Sequence, residues 1–123
     1  IVIDDMSLGD LAKKPGMNTI IKSKYIEFIE GRFQGKAESL FKKYGSFEFV
    51  WFDCGGAMEY EAFFSEYWSI CSAYVIFHFT YTNGEPNHLL KAALKSIEGD
   101  PIRIDIIEPH KSSQGSITIL KKG

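Results

Sequence analysis

Apolar residues come in short runs separated by amphipathic stretches, and the spacing within each predicts its conformation. Residues 47–52, FEFVWF, run with almost no alternation and stop at Asp53, after which Cys54, Gly55 and Gly56 allow a turn. A run this short and this apolar suits a strand covered on both faces, as in a parallel sheet between helices. Residues 73–79, AYVIFHF, have the same character, and residues 25–29, YIEFI, with the opening Ile1-Val2-Ile3, are shorter strand candidates. Helical patterns lie between them. Ala37, Leu40, Phe41 and Tyr44 recur at three- and four-residue spacing over residues 35–44, and Gly45 stands where a C-cap glycine belongs. Residues 58–71 carry Tyr60, Phe63, Phe64, Tyr67 and Trp68 on one broad stripe, which reads as core. Residues 87–97 turn Leu89, Leu90, Ala93, Leu94 and Ile97 inward behind a cap at Asn87, and Gly99-Asp100-Pro101 breaks the pattern. Residues 7–14 predict a short helix capped by Ser7 and stopped by Pro15-Gly16, and residues 80–86 predict a loop around Asn-Gly.

The end of the chain differs. Residues 102–107, IRIDII, alternate in part, residues 116–120, SITIL, alternate fully, and a polar stretch joins them, which predicts an antiparallel hairpin. The element order β–α–β–α–β–α–β–α–β–β predicts an α/β fold. Its form is a three-layer α/β/α arrangement with a mostly parallel sheet, right-handed crossovers and a C-terminal antiparallel β-hairpin. Ligands in such sheets bind beyond the carboxyl ends of the strands, so Asp53 is a charge on the rim where chemistry is expected. Asp is also a preferred N-cap, and capping of the next helix is the competing role for Asp53.

Composition narrows the function classes. A chain of 123 residues holds one domain and one core. Aromatic residues make up 15%, so the core is bulky. A net charge of −2 argues against a nucleic-acid partner, which needs a basic face. No apolar run approaches the length that crosses a bilayer, and no signal-like start is present, so the expected location is cytoplasmic. Cys54 and Cys71 are too few for a disulfide framework, lack zinc-ligand spacing, and read as buried free thiols. Because Ile1-Val2-Ile3 reads as the inside of a strand, a segment preceding Ile1 is expected.

The closing hairpin, with the order of the strings before it, resembles the class I S-adenosylmethionine-dependent methyltransferases, in particular the small-molecule O-methyltransferase branch. YIEFIEGRFQGKAESLFKKYGSFEFVWFDCGG is similar to the family's third strand, helix and fourth strand; AYVIFHFTYTNG to its fifth strand and loop; IRIDIIEPHKSSQGSITILKK to its last two strands. The resemblance implies a partial Rossmann-like domain over residues 1–123 and S-adenosylmethionine as cofactor. Asp4 or Asp5 then falls where an acid accepts hydrogen bonds from the cofactor ribose. Arg32 and Phe33 fall near the adenine, with Arg32 replacing the family's acid, and Asp53 is the acidic position after strand four. The glycine-rich loop after strand one is missing, since no GxGxG occurs. That gap implies a segment outside this chain, a partner segment or second copy completing the sheet, or a domain without cofactor.

In metal-dependent members a second acid follows strand five. Here His78-Phe79-Thr80 stands in its place, so no magnesium site of the family type is expected. The implied reaction is methyl transfer to a small-molecule acceptor, a hydroxyl for preference. His78 is the candidate base because an imidazole titrates near neutrality, against the alternative of an inert core histidine. Tyr60 and Glu61 are candidates to line the acceptor pocket, while His88 and His110 read as solvated. Two other readings stay open: a phospho-receiver domain, with Asp4-Asp5 and Asp53 around magnesium, from which this chain departs by ending in a predicted hairpin where a receiver ends in a helix, and a non-catalytic methyltransferase-like interaction domain.

Overall fold

The computed structural model describes residues 1–6, 15–108, 110 and 115–123. The chain divides into two compact units, Ile1–Gln34 and Gly35–Gly123.

In the first unit, β1 (Val2–Asp4) pairs in parallel with β2 (Phe28–Glu30), with Val2 opposite Phe28 and Asp4 opposite Glu30. The helix α1 spans Pro15–Lys22. The helix expected at residues 7–14 lies outside the described residues. Pro15 and Gly16, expected to stop a helix, instead open one: proline suits a first helical position because its fixed φ is already helical and its missing N–H would have no partner there.

The second unit runs α2 (Ala37–Tyr44), β3 (Phe47–Phe52), α3 (Ala57–Tyr67), a 3-10 turn (Trp68–Ile70), β4 (Cys71–His78), β5 (Tyr81–Thr82), β6 (Glu85–Pro86), α4 (His88–Lys95), β7 (Ile102–Ile107) and β8 (Ser116–Lys121). The caps follow the sequence pattern. The Gly45 amide donates to the Phe41 carbonyl at 2.8 Å, closing α2. At α4, Asn87 Oδ1 accepts from the amides of Leu89 and Leu90 at 3.0 and 3.2 Å. The stretch 80–86 is more ordered than a plain loop. Asn83 and Gly84 both take positive φ, 50° and 78°, and join β5 to β6 as a tight hairpin, the conformation for which Asn-Gly is best suited.

The expected mostly parallel three-layer α/β/α sheet is not what forms. The largest sheet has four strands in the order β3-β4-β8-β7, and only β3 and β4 are parallel; β4–β8 and β8–β7 are antiparallel. The parallel β1–β2 pair and the antiparallel β5–β6 pair are separate two-stranded sheets. The C-terminal hairpin does form one edge of this sheet, as expected, with β7 as the edge strand and β8 antiparallel to both β4 and β7, so the sheet is mixed. The reading of β3 as covered on both faces also fails. Phe52 is buried, but Phe49 and Trp51 are 59% and 49% exposed. Aromatic side chains on the two faces look alike in sequence, and only tertiary packing decides which of them is covered. The phospho-receiver alternative expects a C-terminal helix, whereas Ser116–Lys121 is strand.

The core of this unit lies on one face of the sheet. Phe52 and Phe77 meet the aromatic stripe of α3, and Val75 and Leu120 are buried on the same face of the sheet. Phe52 stacks on Phe63 at 4.1 Å and meets Tyr60 edge-on at 4.9 Å, and Phe64 meets Phe77 edge-on at 4.8 Å. Such pairs add about 0.5–1.5 kcal/mol beyond the area they bury. Leu90 and Ala93 of α4 are fully buried with them. Glu66 of α3 accepts from the amides of Gly35 and Ala37, both at 3.0 Å, and so holds the start of α2.

Candidate functional site

Because β3 and β4 are parallel and Phe52 is in register with Phe77, the residues that follow the pairing, Asp53 and His78, meet at one rim. His78 Nδ1 lies 3.5 Å from Asp53 Oδ2, with the side chains 22% and 34% exposed. This is the length of an ion-pair contact, longer than the usual hydrogen bond. The Trp51 ring, one position before the end of β3, sits 6.2 Å from the imidazole, and Phe79 sits 4.2 Å from it.

Two side chains from helices fix this rim. Tyr60 of α3 donates its hydroxyl to the His78 carbonyl at 2.7 Å. Burial, then the negative charge of Asp53 and then Cys54, hold its phenol well above the ordinary tyrosine range, so it remains a donor. It is 1% exposed and belongs to the core, not to a pocket wall as expected, while Glu61 is exposed. Asn87 donates its side-chain amide to the Phe79 carbonyl, and its backbone N–H donates to the Thr80 carbonyl at 3.0 Å. Phe79 has φ of 58°, a left-handed backbone that a bulky residue rarely adopts and that persists only where its surroundings impose it.

Asp53 does not cap the next helix. The N-cap of α3 is Gly56, whose amide donates to Glu59 Oε2 at 2.8 Å. Gly55, at φ 71°, makes room for that carboxylate: a Cβ there would stand 2.4 Å from Glu59 Cγ. Cys54, expected to be buried, is exposed, whereas Cys71 is buried and its thiol is pushed up, chiefly by that burial.

The other sequence-predicted site residues lie in the first unit. Asp4 ends β1 beside Glu30, and the Gly31 amide donates to the Asp4 carbonyl at 2.9 Å. The parallel pairing thus brings Asp4 and Asp5 to the same end as Arg32 and Phe33, which follow β2. Asp5 and Arg32 are exposed; Asp4 and Phe33 are half-buried. Asp4 Oδ1 already accepts from the Met6 amide at 2.6 Å, which occupies one of the two oxygens a ribose-binding carboxylate would use. His88 and His110 are exposed. Among the described residues no three His, Cys, Asp or Glu side chains cluster as a metal site.

The sequence reading missed a polar cluster at the β7 edge of the same sheet. Asp105 accepts from Tyr81 Oη at 2.8 Å and from Thr118 Oγ1 at 2.7 Å, and Arg103 Nε lies 3.0 Å away. Burial and then this hydrogen bond raise the Tyr81 phenol. Asp105 is the one acid inside an otherwise isoleucine-rich strand, a signal that was visible but carries no partner by itself. No described helix is long and apolar enough to cross a membrane. Comparison with protein-family models, with curated proteins and with solved structures finds no match to this chain.

Proposed function

We propose that the chain serves S-adenosylmethionine-dependent methyl transfer to a small hydroxyl-bearing acceptor, with His78 as general base and Asp53 as its partner. The observation that carries this reading is the Asp53–His78 contact of 3.5 Å at the carboxyl ends of adjacent parallel strands. The sequence resemblance supplies the cofactor.

When bound, the cofactor would supply a sulfonium methyl group for transfer to the acceptor oxygen, with the neutral thioether as the leaving group. His78 takes the hydroxyl proton. With Nδ1 turned toward Asp53, Nε2 is the nitrogen that accepts it, and the carboxylate stabilises the resulting imidazolium. A positioned base of this kind contributes about 10²–10⁴ in rate. Tyr60 and Asn87 hold the backbone on either side of the imidazole, so it does not have to be ordered during the reaction. The resemblance assigns the ribose role to Asp4 and Asp5 and the adenine contact to Phe33, with Arg32 beside it.

Isothermal titration calorimetry of the full chain with S-adenosylmethionine tests the cofactor assignment. Binding at about 1–100 µM, weakened tenfold or more in Asp4→Ala/Asp5→Ala, is the expected result. No heat at about 1 mM cofactor would contradict it.

A further inference from the structure

The second face of the four-stranded sheet carries a continuous apolar surface. One row in register, Trp51–Ile76–Ile119–Ile104, crosses all four strands. Phe49 and Ile102 lie in the row on one side of it and Ile106 in the row on the other. Phe49, Trp51, Ile102, Ile104 and Ile106 are 49–59% exposed. The strand β7 shows the arrangement most plainly. Its alternation turns Ile102, Ile104 and Ile106 to the exposed side, while Arg103 and Asp105 face the side on which Leu120 and Thr118 are fully buried. This is opposite to the usual one-sided strand, where isoleucine faces the core and charge faces water.

We infer that this face is the contact between two copies of the chain. Large side chains exposed to this extent present roughly 600 Å² of apolar surface together, at the upper limit for a monomer's largest patch. A standard interface takes about 800 Å² from each partner, and the patch alone supplies about three-quarters of that. Two such faces related by a twofold axis give an isologous contact, and aligned sheets stack face to face about 10 Å apart with interdigitating side chains. The central row contains no charged residue; Lys121 lies in the row on one side of it and His78 in the row on the other, so charge is confined to the border of the face. The inference rests on burial and register and is independent of the methyl-transfer reading.

Sedimentation velocity of the full chain at roughly 100 µM, well above a micromolar Kd, tests it. A species of twice 13.9 kDa is expected. Ile104→Lys and Trp51→Lys weaken association at least tenfold, and the milder Ile104→Thr, β-branched and strand-compatible, weakens it in the same direction. Met58→Lys, at an 81% exposed position on α3, leaves it intact. Far-UV circular dichroism of each variant reports whether the fold is retained. A monomer at that concentration, a dimer that survives both lysine variants and Ile104→Thr, or one that Met58→Lys disrupts equally would overturn the inference.

Discussion

His78 and Asp53 stand side by side because each ends one of two parallel strands, with Nδ1 and Oδ2 3.5 Å apart. Neither side chain is fully buried, at 22% and 34% exposed. The surrounding groups hold backbone: Tyr60 grips the His78 carbonyl and Asn87 the Phe79 carbonyl.

Removing the Tyr60 hydroxyl tests the first of these anchors. Tyr60→Phe keeps the ring packed against Phe52 and Phe77 but leaves the His78 carbonyl without its donor. A loss of about 1–2 kcal/mol in urea unfolding, with no change in m-value, is expected. An unchanged midpoint would show that the hydrogen bond contributes nothing to holding this rim.

Thr80 gives a prediction of opposite sign. It is fully buried, and its hydroxyl has no hydrogen-bond partner among the described residues. Valine has nearly the same shape without the polar atom, and the Thr80 carbonyl keeps its bond from Asn87. Thr80→Val should therefore raise stability by about 1 kcal/mol, read as a higher thermal midpoint. Destabilisation of that size would mean that the hydroxyl is satisfied in solution.

The Tyr81–Asp105 bond is a hydrogen bond to a charged group, so Tyr81→Phe should cost about 1.5–3 kcal/mol. Because Asp105 also accepts from Thr118, effects within this cluster should not add. A double-mutant cycle with Asp105→Asn is expected to give a coupling of about 1 kcal/mol, and additivity within about 0.3 kcal/mol would dissolve the cluster as a unit.

Alkaline pH should destabilise the protein through three tyrosines. Burial pushes Tyr60, Tyr67 and Tyr81 above their ordinary value of 10.0, with help from Asp53 and Cys54, from Glu66, and from Asp105 respectively. The folded state holds these protons more tightly than the unfolded chain. Their contribution is therefore complete below about pH 10, where both states are protonated, and is lost as pH rises through the folded values. Urea midpoints should fall above about pH 10, together with late-appearing tyrosinate absorbance; early ionisation of these three with the fold intact would contradict the assignment.

The helices α2 and α4 and the terminal hairpin were legible in the sequence because their signals are local: three- and four-residue spacing, Asn87 and Gly45 as caps, partial alternation before a polar stretch and full alternation after it. What sequence could not supply was which partner covers a face. Phe49, Trp51 and Phe52 are equally apolar, yet only Phe52 is buried, and the isoleucines of IRIDII alternate like a core stripe while pointing outward. Asp53 and His78 were each readable as strand-end residues, but their adjacency depends on the register between Phe52 and Phe77. Gly56, not Asp53, caps α3 because Glu59 folds back onto its amide, a contact that needs the positive φ of Gly55 as well as the right spacing. Asp105 was missed because its partners, Tyr81 and Thr118, are 24 and 13 residues away.

The most direct test of the account is methyl transfer itself, followed with isotopically labelled S-adenosylmethionine and a panel of small hydroxyl acceptors. Transfer by the full chain that His78→Gln lowers about 100-fold or more, and Asp53→Asn lowers in the same direction, with cofactor affinity retained in His78→Gln, is the result the account requires. Transfer at wild-type rate in His78→Gln, or none to any acceptor while cofactor is bound, would contradict it.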